Sequence, residues 1–297
     1  MKHLQTLAMI EAVARSGSMR KAAEDMNLTA SALNRRVRGF ETDFGAPIFE
    51  RIPGGVRLNP AGELLLHHYR MSKSDLARVQ SQVADLSGER RGHVRIACSQ
   101  ALLPYFLPEQ IAHYRADHPG VTFAVTVRDR AQAEQELASY ASDLALVFEP
   151  IYLVDFEVLH LVPQRVHAIL RKDHPLAAKP ELRLWECLGA PCVAPDAKYG
   201  VRHLLDFAAR RLGRTLQPVL ETESFELIRH YVLHENAIGF QIPIGLRTQP
   251  DSPLVFRPLS EKDVAPGSLI LGQLRGRTLP VASARFAMQL AAALQQV

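Results

Sequence analysis

Hydrophobic residues recur at helical spacing near the start of the chain. They predict a first helix over about residues 3 to 15, with the apolar positions Leu4, Leu7, Ile10 and Ala14. Residues 18 to 41 then scan as two short helices, with Ser18 and Thr29 as N-caps and Asn27 in the turn. The pattern therefore predicts a helix-turn-helix supported by the first helix.

The second helix of this pair has two unlike faces. Leu33, Val37 and Phe40 repeat at steps of four and three, so they should pack inward. The opposite face carries polar and cationic side chains at Ser31, Asn34, Arg35 and Arg38. Arginine and asparagine can reach base edges in the DNA major groove while neighbouring cations meet phosphates, which makes this face a candidate DNA-reading surface. The alternative is an ordinary amphipathic helix pair with a solvated basic face.

A short hairpin is predicted directly after the helix-turn-helix. Residues 48 to 58 read as two extended pieces around the turn residues Pro53-Gly54-Gly55, and they present Arg51 and Arg57. Arginines on such a wing usually hold DNA backbone phosphates. The alternative is a pair of solvated surface charges.

A long helix follows, over about residues 60 to 87, with Asn59-Pro60 as its start signal and Gly88 as its stop. Its apolar positions alternate steps of four and three, interrupted only by Ser72, and form a heptad seam at Leu65, Tyr69, Leu76, Val79, Val83 and Leu86. A lone helix has no use for such a seam, so we expect it to pair with the same helix of a second subunit. Burial against the chain's own domains is the alternative.

From residue 93 onward the pattern changes to strands that alternate with helices. Strands are predicted over residues 93–99, 121–128, 143–148, 157–161, 166–171, 218–221, 237–241, 254–259 and 268–272. Helices are predicted up to residue 117, over 131–141, and near 201–213, 224–235 and 281–296. This alternation predicts parallel-rich sheets covered by helices.

The composition and the distribution of charge favour DNA as a partner of the N-terminal part. The 297 residues are 47% hydrophobic and 22% charged, as in an ordinary soluble globular protein. No apolar run has the length of a membrane span, and charged residues interrupt the start before a signal-peptide core could form, so we expect a cytoplasmic protein. Residues 1–92 hold 14 basic and 10 acidic residues, whereas residues 93–297 hold 21 of each. The excess positive charge lies in the predicted DNA-reading part.

Metal, redox and catalytic chemistry find little support in the sequence. Cys98, Cys187 and Cys192 are few, odd in number and widely spaced, which argues against a zinc site or a disulfide framework and for small buried side chains. Cys98 ends a predicted strand, where a redox-sensitive thiol is the alternative. Among twelve histidines there is no His-Glu-x-x-His, and Gly-x-Ser-x-Gly, Walker-type and Gly-x-Gly-x-x-Gly motifs are also missing. We therefore predict no enzyme activity, no metal and no cofactor.

The N-terminal sixty residues resemble the LysR-type transcriptional regulators, bacterial one-component switches. The positions that carry the resemblance are Leu7, Gly17-Ser18, Ala22-Ala23, Leu33, Phe40-Glu41, Gly45, Ile48-Phe49, Arg51 and Ala61-Gly62. The chain departs from the family where Asn34 replaces a usual serine, Ala30 lies near a usual glutamine and Phe40 replaces a usual leucine. Because the first two lie on or near the reading face, the resemblance does not extend to the DNA sequence that is bound.

The rest of the chain resembles the same family in several short, correctly ordered motifs. They are Val94-Arg-Ile-Ala, Leu107-Pro108, His118-Pro119-Gly-Val, Asp143-Leu-Ala-Leu, Asp173-His174-Pro175-Leu176 and Ala237-Ile-Gly-Phe-Gln-Ile-Pro243. The resemblance implies an α/β fold in which a winged helix-turn-helix domain, rich in helix, precedes two α/β lobes of the periplasmic-binding-protein type. We expect domains over residues 1–59, 60–87 (dimerisation helix), 88–92 (hinge) and 93–297, with lobe I at about 93–162 and 266–297 and lobe II at about 163–265.

In such a fold a small effector binds between the lobes, at strand ends and helix N-termini. Applied to the predicted junctions, that rule selects Ser99, Gln100, Phe148, Arg202, Ser224, Phe225, Gly239 and Phe240. Serine hydroxyls and an arginine could bind a carboxylate, and phenylalanines could wall an organic body. The alternatives are that each serine only caps its helix, each phenylalanine is core, and Arg202 is solvated.

Taken together, these features predict a transcription regulator that binds double-stranded DNA and is switched by a small organic effector. The resemblance suggests an aromatic metabolite or a carboxylate as effector, and a homodimer that assembles into a homotetramer. A solute-binding or sensing protein without DNA binding is the rival interpretation, and the basic helix-turn-helix argues against it. The sequence indicates neither the effector's identity, nor the target genes, nor whether the protein activates or represses.

Overall fold

The computed structural model describes residues 2–86, 91–149, 155–248 and 251–296. Its contacts divide the chain into two compact units, an N-terminal unit that ends at Ala77 and a C-terminal unit that begins at Arg78. Each unit has its own hydrophobic core.

The N-terminal unit has the predicted helix-turn-helix. Its elements are α1 (Lys2–Ser16), α2 (Met19–Asp25), α3 (Ala30–Phe44), β1 (Phe49–Ile52), β2 (Gly55–Leu58) and the first part of α4 (Pro60–Leu86). Ser18 caps α2 by accepting from Lys21 N, and Thr29 caps α3 by accepting from Ala32 N. Asn27 takes the left-handed conformation in the turn, with φ of 54°. Local capping chemistry therefore places both helices where the sequence predicted them.

The hairpin β1–β2 is attached to the helix-turn-helix by backbone hydrogen bonds. Val56 N donates to the carbonyl oxygen of Gly17 at 2.9 Å. The carboxylate of Glu41, near the end of α3, accepts from Ile48 N at 2.8 Å. Gly55 has to lack a side chain, because a Cβ there would lie 2.1 Å from the Gly17 carbonyl oxygen. The wing is thus held at a fixed position beside α3.

The structure of helix α4 differs in part from the predicted dimer seam. Leu65 and Tyr69 are buried within the chain, and Leu65 belongs to the hydrophobic core of the N-terminal unit, so neither has much apolar surface left for a second subunit. Leu76, Val79 and Val83 are instead 47%, 45% and 57% exposed. The side chain of Leu86 and the predicted stop at Gly88 lie outside the described residues, as does most of the predicted hinge. A seam on the described part of α4 therefore begins at Leu76.

The first lobe of the C-terminal unit is a five-stranded sheet. Its strands are β3 (Arg91–Cys98), β4 (Gly120–Val127), β5 (Leu144–Phe148), β6 (Phe156–Gln164) and β12 (Gly267–Leu274), in the order β4-β3-β5-β12-β6. The helices α5 (Phe106–Asp117), α6 (Arg130–Ala138) and α10 (Val281–Leu294) accompany it. A short 3₁₀ helix, Gln100–Leu102, follows β3 directly.

The second lobe is built on β7 (His167–Arg171), with β10 (Gly239–Gln241) and β11 (Leu254–Pro258) on either side. A parallel pair, β8 (Val193–Pro195) and β9 (Leu220–Thr222), joins this sheet through a bridge between Cys192 and Ile238. Its helices are α7 (Leu184–Cys187), α8 (Gly200–Arg211) and α9 (Phe225–His234), and 3₁₀ turns occur at Pro175–Ala178 and Pro243–Gly245.

The sheets are mixed, and the prediction of parallel-rich sheets was wrong. Strand β3 is parallel to β4 and β5, but β12 runs antiparallel to β5 and β6, and β7 is antiparallel to both of its neighbours. The chain leaves the first lobe and returns to it, and the returning strand β12 enters in the opposite direction. In addition, β6 continues to Gln164, so the predicted change of lobe after residue 162 falls within a strand.

We expect Gly55→Ala to destabilise the N-terminal unit, because the added Cβ would collide with the Gly17 carbonyl oxygen. Overpacking of this kind costs about 1–3 kcal/mol. Gly39→Ala is the matched control, because a Cβ at that position in α3 meets nothing within 4 Å and should stabilise the helix by about 0.5–1 kcal/mol. Urea denaturation followed by far-ultraviolet circular dichroism measures both. Equal midpoints for the two variants would contradict the prediction.

Candidate DNA-binding surface and ligand cleft

Helix α3 presents the predicted reading face outward. Leu33 and Val37 are buried on its inner side, whereas Ser31, Arg35 and Arg38 are exposed and Asn34 is half-buried. Within the described residues, neither Arg35 nor Arg38 forms an ion pair, so both guanidinium groups are available to an anionic partner. The four side chains therefore share one accessible, cationic surface, and their contact with DNA stays a prediction.

The two wing arginines differ in their surroundings. Arg51 lies opposite Val56 and is exposed, without an ion-pair partner in the part of the chain that is described. Arg57 lies opposite Glu50 and its Nε donates to that carboxylate across the hairpin. The sequence predicted the same role for both arginines, because the register that pairs Arg57 with Glu50 is known only once the hairpin is formed. Arg51 is the cation that can meet a phosphate without first giving up a partner.

A narrow cavity lies in the C-terminal unit where strand ends of the first lobe meet α8 and α9 of the second. Three of the predicted effector residues line it, namely Ser99, Phe148 and Phe225. The other eight lining residues were not predicted from the sequence, and they include Arg128, Arg130, Tyr199 and Gly200. Arg128 and Arg130 follow β4 as Ser99 follows β3, so the strand-end rule would have found them had it been applied to that strand.

The two missed arginines give the cavity a cationic wall. Arg128 Nε donates to Glu136 at 2.5 Å, so its charge is largely compensated. Burial by itself raises the pKa of Glu136, but hydrogen bonds from Ser142, Arg128 and Thr126 outweigh it and keep the pKa below its ordinary value. Arg130 is different: Nη1 donates to the Glu149 carbonyl oxygen at 3.1 Å, and its buried Nε has no partner among the described residues.

The second-lobe wall consists of the start of α8 and two aromatic rings. Tyr199 and Phe225 meet edge to face, with ring centroids 5.5 Å apart. Burial raises the pKa of Tyr199, so its hydroxyl is a neutral hydrogen-bond donor at physiological pH. Tyr199 is also the N-cap of α8 but provides no side-chain cap, which leaves the first N–H groups of that helix directed outward. A Cβ on Gly200 would lie 2.6 Å from the Phe148 carbonyl oxygen, so only glycine allows this close approach of the lobes.

Two other predicted residues, Gln100 and Ser224, line a neighbouring cavity instead. Ser224 Oγ accepts from Leu227 N, so it caps α9 as the alternative interpretation expected. The side-chain oxygen of Gln100 accepts from Phe225 N at 2.6 Å and thereby joins the two lobes. Both residues lie at the predicted junction, but Ser224 Oγ and Gln100 Oε1 already have partners.

Arg202, Gly239 and Phe240 do not line the cavity, and for them the effector prediction needs correction. Arg202 is held inside the second lobe by Asp206 at 3.0 Å and Glu221 at 2.5 Å. Phe240 is fully buried core, and Gly239 packs against α9, where a Cβ would lie 2.6 Å from Ile228. Asp206 lies four residues from Arg202 on α8, a spacing that the sequence shows, whereas Glu221 and Ile228 are contacts from other segments that no local pattern reports.

Reactive and metal-binding side chains are not concentrated at the cavity. All three cysteines are buried, and burial raises the pKa of Cys98 to about 12, so its thiol is protonated and unreactive at neutral pH. Among the described residues, no three histidine, cysteine, aspartate or glutamate side chains converge as metal ligands. The helices that the structure describes also include none with the length and hydropathy needed to cross a bilayer.

Two protein families match the chain. Residues 4–63 match the family described as bacterial regulatory helix-turn-helix protein, lysR family. Residues 87–295 match the family described as LysR substrate binding domain. The first match contains α3 and the wing, and the second contains both lobes and the cavity between them.

Individual proteins resemble the chain over most of its length. The HTH-type transcriptional activator CmpR of Synechocystis is 26% identical over 231 residues, which cover 77% of this chain and 75% of that protein. The structure of a full-length OxyR variant from Pseudomonas aeruginosa has a TM-score of 0.70 at 18% identity and covers 98% and 94% of the two chains. The structure of full-length CbnR with its target DNA has a TM-score of 0.64 at 16% identity, covering 98% and 99%. At these identities the two structures show a shared fold.

Proposed function

Because the chain belongs to the LysR family of bacterial transcriptional regulators, it acts through DNA binding that a small-molecule effector switches, and we propose which surfaces perform each task. The outer face of α3 reads bases, the wing holds phosphates, and an anionic effector binds in the cavity between the lobes. We also propose that the chain works in the cytoplasm, where operator DNA is, and that it has no catalytic role.

The DNA-binding proposal rests on where free cations are exposed. Arg35 and Arg38 project from the face of α3 that points away from the core, beside the hydrogen-bonding side chains of Ser31 and Asn34. Such a set can combine base-edge contacts with phosphate contacts in the major groove. Arg51 supplies a further exposed cation from the wing. The structure of CbnR with its target DNA has the same fold.

The effector proposal is carried by one observation: Arg130 lines the cavity, and its buried Nε has no partner within the described chain. A carboxylate oxygen is the natural acceptor for that N–H, and a charge-assisted bond of this kind is strong. The Ser99 hydroxyl and the uncapped N-terminus of α8 add neutral donors that also favour an anion. Phe148, Tyr199 and Phe225 enclose the apolar part of the ligand, so we propose a small organic acid.

Switching requires that the acid binds one arrangement of the lobes more tightly than another. The cavity meets this requirement in principle, because its walls come from both lobes and a ligand there contacts both. Regulators of this family form oligomers, and we propose that Leu76, Val79 and Val83 are the part of α4 that pairs with a second copy. We retain residues 1–59, 60–87, 88–92 and 93–297 as the proposed domain limits.

For the reading face, we expect Asn34→Ala and Arg35→Ala each to lower the affinity for the cognate operator by about 1–3 kcal/mol, because each removes a base-edge contact. Fluorescence polarisation with cognate and scrambled duplexes measures this loss. Arg36→Ala is the control, since Arg36 lies off the reading face and its guanidinium points toward Met9. Equal losses on both duplexes would show that the residues contact phosphates and do not read bases.

For the wing, Arg51→Ala should flatten the dependence of log affinity on log salt concentration by about 0.9, the value for one lost phosphate contact. Arg57→Ala should change the slope less, because Arg57 is already paired with Glu50. Titrations of both variants at several salt concentrations compare the slopes. If Arg51→Ala leaves the slope unchanged, the wing does not hold a phosphate through this residue.

For the cavity, Ser99→Ala and Arg130→Met should each weaken the effect of an inducing organic acid at least tenfold, about 1.4 kcal/mol, while DNA affinity without the acid stays the same. A panel of small organic acids, screened for a change in operator binding, supplies the compound. Arg210→Met is the matched control, because Arg210 is exposed on α8 away from the cavity. A normal response in both cavity variants would place the effector elsewhere.

A further inference from the structure

A second cavity lies beside the proposed effector site, with a volume of about 340 Å³, and is partly open to solvent. It is formed where the 3₁₀ turn after β3 faces the start of α9 and the end of β10. Its wall includes Gln100, Leu103, Pro104, Phe225, Arg229 and Gln241. Its size is within the range of small-molecule sites in proteins.

This cavity is distinct from the one that contains Arg130. The two share Phe225 and no other lining residue. The hydrogen bond between Phe225 N and the side-chain oxygen of Gln100 adjoins both of them. A ligand in the second cavity would therefore contact neither Ser99 nor Arg130.

Gln241 gives the second cavity an unpaired acceptor. Its side chain is fully buried, and Nε2 donates to the Gly245 carbonyl oxygen at 3.0 Å. That carbonyl requires a donor, so it sets the orientation of the amide and turns Oε1 away. Oε1 has no hydrogen-bond partner among the described residues. A buried acceptor without a partner is costly, and a ligand N–H or O–H would remove that cost.

Arg229 gives the same cavity an unpaired donor. Its buried Nε has no partner within the described ranges, while its Nη1 lies 3.7 Å from the carboxylate of Glu226. Because Glu226 also lines the cavity, the positive charge of Arg229 is already compensated. The cavity therefore offers a donor without a surplus of positive charge, unlike the cavity at Arg130.

We propose that this cavity is a second ligand site, which binds a small uncharged molecule that carries a carboxamide on an apolar body. A carboxamide has an N–H donor for Gln241 Oε1 and a carbonyl oxygen for Arg229 Nε on neighbouring atoms. Leu103, Pro104 and Phe225 supply the apolar walls. The site goes beyond the proposed organic acid, because it takes a neutral compound at different residues.

Isothermal titration calorimetry of the full-length protein with benzamide tests the proposal without DNA. We expect saturable binding, weakened at least tenfold by Arg229→Met and by Gln241→Met. Arg210→Met and Ser99→Ala should each change the affinity by less than twofold. Gln241→Met also removes the hydrogen bond to Gly245 and could impair folding. In that case the affinity of Arg229→Met for benzamide is the deciding measurement.

Two results would overturn the proposal. One is the absence of benzamide binding to the wild-type protein at millimolar concentrations. The other is binding that Ser99→Ala abolishes and Arg229→Met leaves intact, since this would place benzamide in the first cavity. Benzoate is the charged comparison, and tighter binding of benzoate than benzamide at the Arg229 site would contradict a neutral ligand. None of these results depends on whether an organic acid acts at Arg130.

Discussion

The carboxylate of Asp143 is the interaction on which the geometry of the C-terminal unit depends. It is almost completely buried and binds Arg277 at 2.5 Å, Arg95 at 2.8 Å and the Ser283 hydroxyl at 3.2 Å. These groups come from β3, from the segment after β12 and from α10, so one side chain joins the outgoing and returning parts of the chain. A buried charge that loses its partner costs about 3–5 kcal/mol, which makes this register hard to change. Because Ser99 follows β3 and Phe148 ends β5, the same interaction positions one wall of the ligand cavity.

Local chemistry explains why the N-terminal part could be predicted from the sequence. Caps at Ser18 and Thr29, the turn at Asn27 and the spacing of Leu33 and Val37 act within a few residues of one another, and the helices formed as expected. The seam on α4 was harder to predict, because the spacing of apolar residues is the same whether they face a second subunit or the chain's own core. Leu65 belongs to that core, which a heptad pattern alone cannot reveal.

Long-range pairing explains where the prediction of the ligand site failed. Strand ends meet at a common edge, so Ser99, Phe148 and Phe225 could be found from the predicted strands and helices. The ion pair of Arg202 with Asp206, four residues further along α8, could be expected from the sequence, whereas its second partner Glu221 lies nineteen residues away. The direction of β12 was equally invisible, since helical and strand periodicity carry no information on which way a strand enters its sheet. Short elements such as β8 and α7 have too few residues for a helical or strand periodicity to be recognised in the sequence.

The hydrogen bond between Gln100 and Phe225 has a consequence for affinity. It joins the two lobes at the first residue after Ser99 and the first residue of α9. A molecule that enters between these segments has to break this bond, so its own contacts must first offset a loss of about 0.5–1.5 kcal/mol. A single amide side chain would thus lower the affinity of every compound that separates the lobes at this point.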